Sequence, residues 1–524
     1  MKSMKSIKKR VISCIIIAVM LISVAGCSNS SVSVKLNGKD VYTTAQNSAS
    51  SQQELVENAL DPEVWKDHLE NDLMKFWTKP DAQDLSDGLF NTYLSNSGEK
   101  LPSDSSELPE EIKAAMEDDV MKDLMDIGTN YVRAHSRLTY AYGVAYHMTG
   151  NSEYLEMCRK GTLALQEAFD GEYGMYVTKD KETGEWDADR NARTSQDLAY
   201  GITGMGMYYF LTHDEDVLNS IIKAKNYIFD TYFDDNKGYI TWLPKDTEDM
   251  QTQIVAQLDQ LYAYMLMLTP SLPEPYQSEW KADMKKIADI LINRFYSEKN
   301  GLFWGVVNDT DSMALGSGHT DFGHSVKTLW VIMKVGQITG ETSYVDFAKP
   351  KIDNILKEAY IEENGSWARR FNSDGTRDED KEWWILAELD QAAEIMSIND
   401  PSYYEYLNNT QKYWLETMVD HENGEIWHMV SADGEPVISY PKAHCWKTSL
   451  HSFEHALFGY MTAAQLKGMD FELYYAFPEN ESVSENSVEP YMFYANAANI
   501  TKGETLTDMP NGNCVYKVTF NQLY

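Results

Sequence analysis

The sequence predicts an all-α (α/α)6 toroid carrying a small C-terminal β appendage. Three observations lead there: a glycine turn that returns about every sixty residues, two alternating classes of helix between those turns, and one ionisable residue in phase near the start of each inner helix. The turns are "DGEYGMYV", "DDNKGYITW", "SEKNGLFWG", "EENGSWARR" and "HENGEIWHM". Their glycines, Gly174, Gly238, Gly301, Gly365 and Gly424, are separated by 64, 63, 64 and 59 residues. Glycine after a polar residue suits a positive-φ turn, and the aromatic residues behind it suit short strands.

One helix class is amphipathic, as in "SEYLEMCRKGTLALQEAF", "DVLNSIIKAKNYIFDTYF" and "KADMKKIADILINRFY". Apolar residues recur at i, i+3 and i+4, and Ser152 is the expected cap of the first of these. The other class is apolar on most sides, as in "LTYAYGVAYHMTG", "DLAYGITGMGMYYFLT", "QLDQLYAYMLMLT", "SVKTLWVIMKVGQITG", "WWILAELDQAAEIM" and "SLHSFEHALFGYMTAAQ". Such helices are surrounded by protein. Two helices with their loops fill a sixty-residue period, so six inner helices ringed by outer ones follow from the repeat.

The ends of the chain differ from this core. Residues 1–26 join Lys2, Lys5, Lys8, Lys9 and Arg10 to an apolar run that is short for a membrane span. The run ends in "LISVAGC", which resembles a bacterial lipobox. That resemblance implies cleavage before Cys27, lipid on its sulfur, and an extracytoplasmic protein held at the membrane by that lipid. Residues 27–55 read as a polar linker, 56–470 as the toroid, and 471–524 as a β-rich extension in which "EPYMFYANAANI" and "NCVYKVTFNQLY" flank "MPNGN".

The net charge is −36, and losing residues 1–26, with five basic and no acidic side chains, takes it to −41. That excludes nucleic acid as a partner and excludes charge as the means of holding an anionic membrane. Cys158, Cys445 and Cys514 remain beyond the leader; odd in number and widely spaced, they form neither a disulfide framework nor a CxxC metal site. The 33 Tyr and 13 Trp suit both a large core and carbohydrate stacking platforms.

The in-phase residues are Arg137, Asp197, Asp259, His324, Glu388 and His451, at steps of 60, 62, 65, 64 and 63. In a toroid these helix starts share one end, so the side chains converge on a polar mouth. His324 and His451 are expected to face each other there. Two imidazoles on opposite sides of one carbon can remove a proton from one face and return it on the other. Next to a carbonyl that is epimerisation through an enediolate. Arg137 is the candidate cation for the developing oxyanion, while Glu388 is expected either to orient a histidine or to hold a sugar hydroxyl.

At these residues the chain resembles the N-acylglucosamine 2-epimerase family, which includes cellobiose and mannobiose 2-epimerases and aldose–ketose isomerases. The likeness spans about residues 60–470. "HSRLTYAYGVAYHMTG" is similar to the family's arginine-bearing first inner helix and implies a role for Arg137. "TSQDLAY" resembles its Tyr-Asp-His-Ala-Phe segment at Asp197, and "GHSVKTLW" its Gly-His-x-x-Glu-x-x-Trp motif, implying a catalytic His324. "KEWWILAELDQA" resembles Trp-Trp-x-x-Ala-Glu, with Trp383, Trp384 and Glu388. "WKTSLHSFEHAL" resembles Trp-Lys-x-x-Tyr-His-x-x-Arg-Ala, implying a catalytic His451. The resemblance implies chemistry without a metal or redox cofactor, on a saccharide with a reducing end. Lys327 stands where the family has glutamate, Leu450 where it has tyrosine and Glu454 where it has arginine. In "IVAQLDQLYAY", Gln257 or Asp259 stands where the disaccharide epimerases have histidine. Trp304, Trp367, Trp383 and Trp384 are candidate groove residues.

Three other readings compete. Asp197, Asp259 and Glu388 supply carboxylates for an (α/α)6 glycoside hydrolase. "HSFEH" matches the H-x-x-E-H zinc pattern through His451, Glu454 and His455. A non-catalytic, lipid-anchored glycan-binding protein on the same scaffold is the third.

Overall fold

The computed structural model describes residues 33–36, 39–43 and 49–524, except 120, 248–250, 309, 486, 507–508 and 510–511. The leader and Cys27 lie outside the described residues. The chain forms two compact units, Met1–Glu54 and Leu55–Tyr524. Within the first, in the stretch read as linker, Ser33–Leu36 pairs antiparallel with Lys39–Thr43.

The second unit is the toroid and its appendage. Its inner helices are α2 (Val132–Thr149), α4 (Ser195–Thr212), α6 (Ile254–Gln260, continuing through Leu261–Met265 and Leu266–Leu268), α8 (Phe322–Thr339), α10 (Trp383–Ser397) and α12 (Leu450–Lys467). The outer helices between them are α3 (Ser152–Glu167), α5 (Glu215–Tyr232), α7 (Tyr276–Ile290, continuing through Leu291–Phe295), α9 (Thr342–Ala359) and α11 (Tyr404–Tyr413, continuing through Trp414–Met418). The sixth outer position is filled from the N-terminal side by α1, running through Pro62–Asp67, His68–Leu73 and Met74–Trp77. Each inner helix packs on the next, α12 returns to α2, and α1 packs on α12 to close the ring. That last contact is tight: a Cβ at Gly459 of α12 would lie 2.3 Å from the Trp65 ring.

Burial follows the two helix classes. Every residue of α4 is buried, whereas α5 buries one face only. Local signals start and stop the helices. Thr194, Asp214 and Asp321 cap α4, α5 and α8 with their side chains, and left-handed Gly150, Gly340 and Gly468 end α2, α8 and α12. At α3 the cap is Asn151, whose side chain accepts from Glu153 N, so Ser152 is the first helical residue rather than the cap.

All five repeat glycines have positive φ, between 64° and 85°. Gly238, Gly301 and Gly365 turn two-residue antiparallel hairpins, Phe233–Asp234 with Tyr239–Ile240, Tyr296–Ser297 with Leu302–Phe303, and Tyr360–Ile361 with Ser366–Trp367. Each hairpin returns the chain from an outer helix to the start of the next inner one. The inner-helix N-termini and their loops therefore gather at one end. Residues 78–131 make a long excursion there, with a small core of their own built on Tyr93, Leu101 and Ile112 against Met429, Tyr440 and Cys445. At the C-terminus Phe471–Pro478 and Ala495–Thr505 flank Asn513–Leu523 in a three-stranded antiparallel sheet. It packs on α2 and α4. Cys158, Cys445 and Cys514 are free and buried.

Candidate active site

A cavity of about 420 Å³ lies at the end where the inner helices begin, and Arg137, Asp259, His324, Trp383, Trp384 and His451 are in its wall. His324 and His451 come from helices on different parts of the ring, and both rings pack against one indole: Trp384 lies 4.5 Å from the His324 ring and 6.0 Å from the His451 ring.

His324 occupies the first turn of α8. Asp321, the N-cap, accepts from His324 N at 2.6 Å with one oxygen and meets His324 Nδ1 at 2.7 Å with the other. One carboxylate thus starts the helix and fixes the ring, leaving Nε2 for the cavity. Burial pushes the Asp321 carboxyl up, but the His324 charge and hydrogen bonds outweigh it and hold the group below its ordinary value. An Asp three residues before a helix-initial His is the sequence signal for this arrangement.

His451 is more deeply set. Its Nδ1 lies 3.2 Å from Glu388 Oε1 and 3.4 Å from the Tyr262 hydroxyl, and the Tyr262 ring is nearly parallel to it. Burial, reinforced by the Lys327 and Arg137 charges, holds its imidazole well below the ordinary 6.5. Tyr262 belongs to the π-type turn of α6, a locally widened, underwound turn frequent at functional sites.

Behind His451 sits a buried charge cluster. Glu388 accepts from Trp330 Nε1 at 2.9 Å and faces Lys327 Nζ at 3.5 Å. Lys327 also lies 3.7 Å from Asp259 and 3.4 Å from the centre of the Tyr262 ring. Burial lowers the Lys327 pKa, but Tyr200, Glu388, Asp259 and Glu454 more than reverse this, so it stays charged. Burial raises Glu388, and Lys327 offsets part of the rise. Glu454 accepts from the Tyr262 and Tyr491 hydroxyls, each at 2.7 Å. Burial and the Glu388 charge push Glu454 up to about 7.

Arg137 donates to Trp446 O at 2.6 Å and lies over the Tyr200 ring at 3.7 Å. It has no carboxylate partner among the described residues, so its charge is available to the cavity. Arg133 instead takes Asp197, at 2.5 Å.

Other predicted residues stand elsewhere. Asp197 is tied to Arg133 and Thr194, outside the cavity wall. Gln257 is spent on the backbone of Ile240, accepting from its N at 3.0 Å and donating to its O at 2.5 Å. Trp304 is buried beyond the wall, and Trp367 donates to Asp390 in the core. Asp259 does line the cavity, held by Gln196 at 2.7 Å and Tyr200 at 3.1 Å. In the H-x-x-E-H string, His455 points away from His451, with Nε2 on Asp390 at 3.0 Å and its ring against Trp65 and Trp414. Among the described residues, Glu388, His451 and Glu454 offer three possible cation ligands within 4.8 Å of one another. The Lys327 ammonium already supplies positive charge at Glu388, and two tyrosine hydroxyls hold Glu454.

The family model of N-acylglucosamine 2-epimerase matches residues 122–450. The chain belongs to the N-acylglucosamine 2-epimerase family. It is therefore a carbohydrate epimerase by class. The cellobiose 2-epimerase of Bacteroides fragilis is 21% identical over 339 residues, which cover 61% of this chain and 84% of the relative. In fold the chain is similar to the cellobiose 2-epimerase of Spirochaeta thermophila, with TM-score 0.63, 16% identity, and coverage of 80% of this chain and 98% of that one. The cellobiose 2-epimerase of Bacillus thermoamylovorans gives TM-score 0.62, 17% identity, and coverage of 76% and 98%. A D-mannose isomerase gives 0.57, 15% identity, and coverage of 79% and 98%. Two of the departures from the family's motifs, Lys327 and Glu454, both contact Tyr262, Lys327 over its ring face and Glu454 at its hydroxyl.

Proposed function

We propose that this enzyme epimerises, or isomerises between aldose and ketose, the reducing-end unit of a saccharide. The reading rests on one observation: His324 and His451 reach the same cavity and the same indole from different inner helices. The open-chain sugar lies between them, and one imidazole takes the C2 proton. Returning a proton from the other imidazole to the opposite face gives the 2-epimer, while return at C1 gives the ketose. Between them the pair carries one exchangeable proton. Arg137, free of any carboxylate partner among the described residues, stabilises the enediolate oxygen. Glu388 and Asp321 orient the two rings. Trp383 and Trp384 supply apolar faces for the sugar.

The carboxylates that a hydrolase would use are committed elsewhere: Asp259 and Glu388 to Lys327, and Asp197 to Arg133. The lipobox-like "LISVAGC" supports a protein anchored through Cys27 and working outside the cytoplasm, where oligosaccharides with reducing ends are the available substrates. Incubation with reducing disaccharides in deuterated water tests the chemistry. Deuterium at C2 of recovered sugar is expected. Its absence, with sugar bound, would remove the proposal in favour of a binding protein.

A further inference from the structure

Three more imidazoles reach the cavity, those of His319, His428 and His444, and the last two pair with each other. His428 follows the Gly424 turn, and His444 lies in the loop before α12. His428 Nδ1 is 2.9 Å from His444 Nε2, and the rings stack at 5.0 Å. Burial holds both well below their ordinary value, so both are neutral and one nitrogen must donate to the other. His444 Nδ1 faces the backbone N–H groups of Trp446 at 3.3 Å and Lys447 at 3.4 Å. A nitrogen that accepts carries no proton. The His444 proton is therefore on Nε2 and is donated to His428 Nδ1. By the same rule the His428 proton is on Nε2.

That Nε2–H has no acceptor among the described residues, and it is not sealed in. The imidazole nitrogens that are both enclosed and unpaired among those residues are His147 Nε2 and His455 Nδ1. The two rings thus transmit the polarity of a backbone turn to the cavity wall, as a fixed N–H donor. Its place is specific: Trp383 lies 4.8 Å from the His428 ring and 6.5 Å from the His451 ring. The donor therefore shares the Trp383 indole with His451.

We propose that His428 is a substrate-binding residue that donates Nε2–H to an oxygen of the sugar unit adjoining the reacting one, and that His444 is its positioning residue. The proposal rests on the epimerase reading for which unit reacts. A group that can only donate matches an oxygen that can only accept. A glycosidically linked unit, held as a closed ring, offers two such ether oxygens, its ring oxygen and the bridging one, whereas the open-chain reacting unit has no ring ether, so the proposed ligand class is a disaccharide or longer chain.

Cellobiose and glucose are the probes, with His428→Phe, His444→Phe and His444→Gln as variants. Phenylalanine keeps the ring packing and removes the donor; glutamine restores an N–H toward His428. His428→Phe is expected to weaken cellobiose binding roughly three- to tenfold, read by calorimetry and as KM, the scale of one lost hydrogen bond. The kcat should stay within about twofold, as should glucose binding. His444→Phe should reproduce part of the loss and His444→Gln recover it. In wild-type protein carrying nitrogen-15 histidine, His428 should show the Nε2–H tautomer and shift on adding cellobiose, a readout needing no variant to fold. An Nδ1–H tautomer, unchanged cellobiose affinity in folded His428→Phe, an equal loss for glucose, a fall in kcat at constant KM, or failure of wild type to bind cellobiose would each overturn the assignment. Binding and spectra need no turnover. Cellobiose bound without exchange at C2 would therefore sink the epimerase reading while leaving His428 separately decided.

Discussion

Replacing Lys327 by methionine isolates the charge cluster behind His451. The ammonium lies 3.5 Å from Glu388 and 3.7 Å from Asp259, with all three groups buried. At an effective dielectric constant near 20, each contact amounts to about 4.5–5 kcal/mol of Coulomb attraction, most of it offsetting the desolvation of the charges. Methionine fills the volume but leaves two buried carboxylates without their cation, with Glu454 nearby. Removing one partner of a buried pair costs roughly 3–5 kcal/mol, and that loss of stability is expected in chemical unfolding followed by tryptophan fluorescence. The double variant Lys327→Met with Glu388→Gln removes the largest uncompensated charge. It should recover at least half the loss, a coupling of at least about 2 kcal/mol. A loss below about 1 kcal/mol in the single variant, or additive losses in the double, would refute the view that Lys327 exists to neutralise Glu388.

Four further outcomes are expected. His324→Asn and His451→Asn should each lower C2 exchange by about 10²–10⁴-fold, measured by deuterium uptake, with the fold retained. Asp321→Asn keeps the helix cap but puts an amide at His324 Nδ1, and should lower kcat at least roughly tenfold at near-constant KM. Lys327→Glu combined with Glu454→Arg, which installs the residues the family carries at both places, should be more stable to heat than either single change, because each alone leaves like charges together around Tyr262. Acid should destabilise the fold before it strips the carboxylates. His135 and His147 are fully buried, and burial lowers both to about 4. The unfolded chain therefore takes up their protons first as pH falls. Their contribution is complete above about 6.5 and is lost toward 4, about 1 kcal/mol for each between pH 7 and 5.5. A thermal midpoint that does not fall across that interval would contradict this.

Much of the architecture was legible because it depends on local rules repeated six times. A positive-φ turn favours glycine, so Gly174 through Gly424 marked the turns, three of which close two-residue hairpins. A helix enclosed by others must be apolar all round, so the inner helices stood out from the amphipathic ones. The phase of Arg137, Asp259, His324, Glu388 and His451 was readable for the same reason, since a repeat brings equivalent positions to the same end of the ring. Asp197 shared that phase yet serves Arg133 and Thr194. Phase places a residue near the mouth, but its partner decides what it does.

The sequence alone determined the repeat, the burial class of each helix and the placing of His324 and His451 at one end of the ring, since periodicity and turn chemistry are properties of the chain itself. The tertiary structure decided the pairings: Tyr262 against both Lys327 and Glu454, His444 behind His428, and α1 brought across the chain to complete the ring. Those contacts join residues from unrelated repeats or from irregular loops, where no period constrains the neighbour. A buried charge or imidazole takes its protonation and its role from whichever group packing places within about 4 Å, and only the folded chain sets that distance.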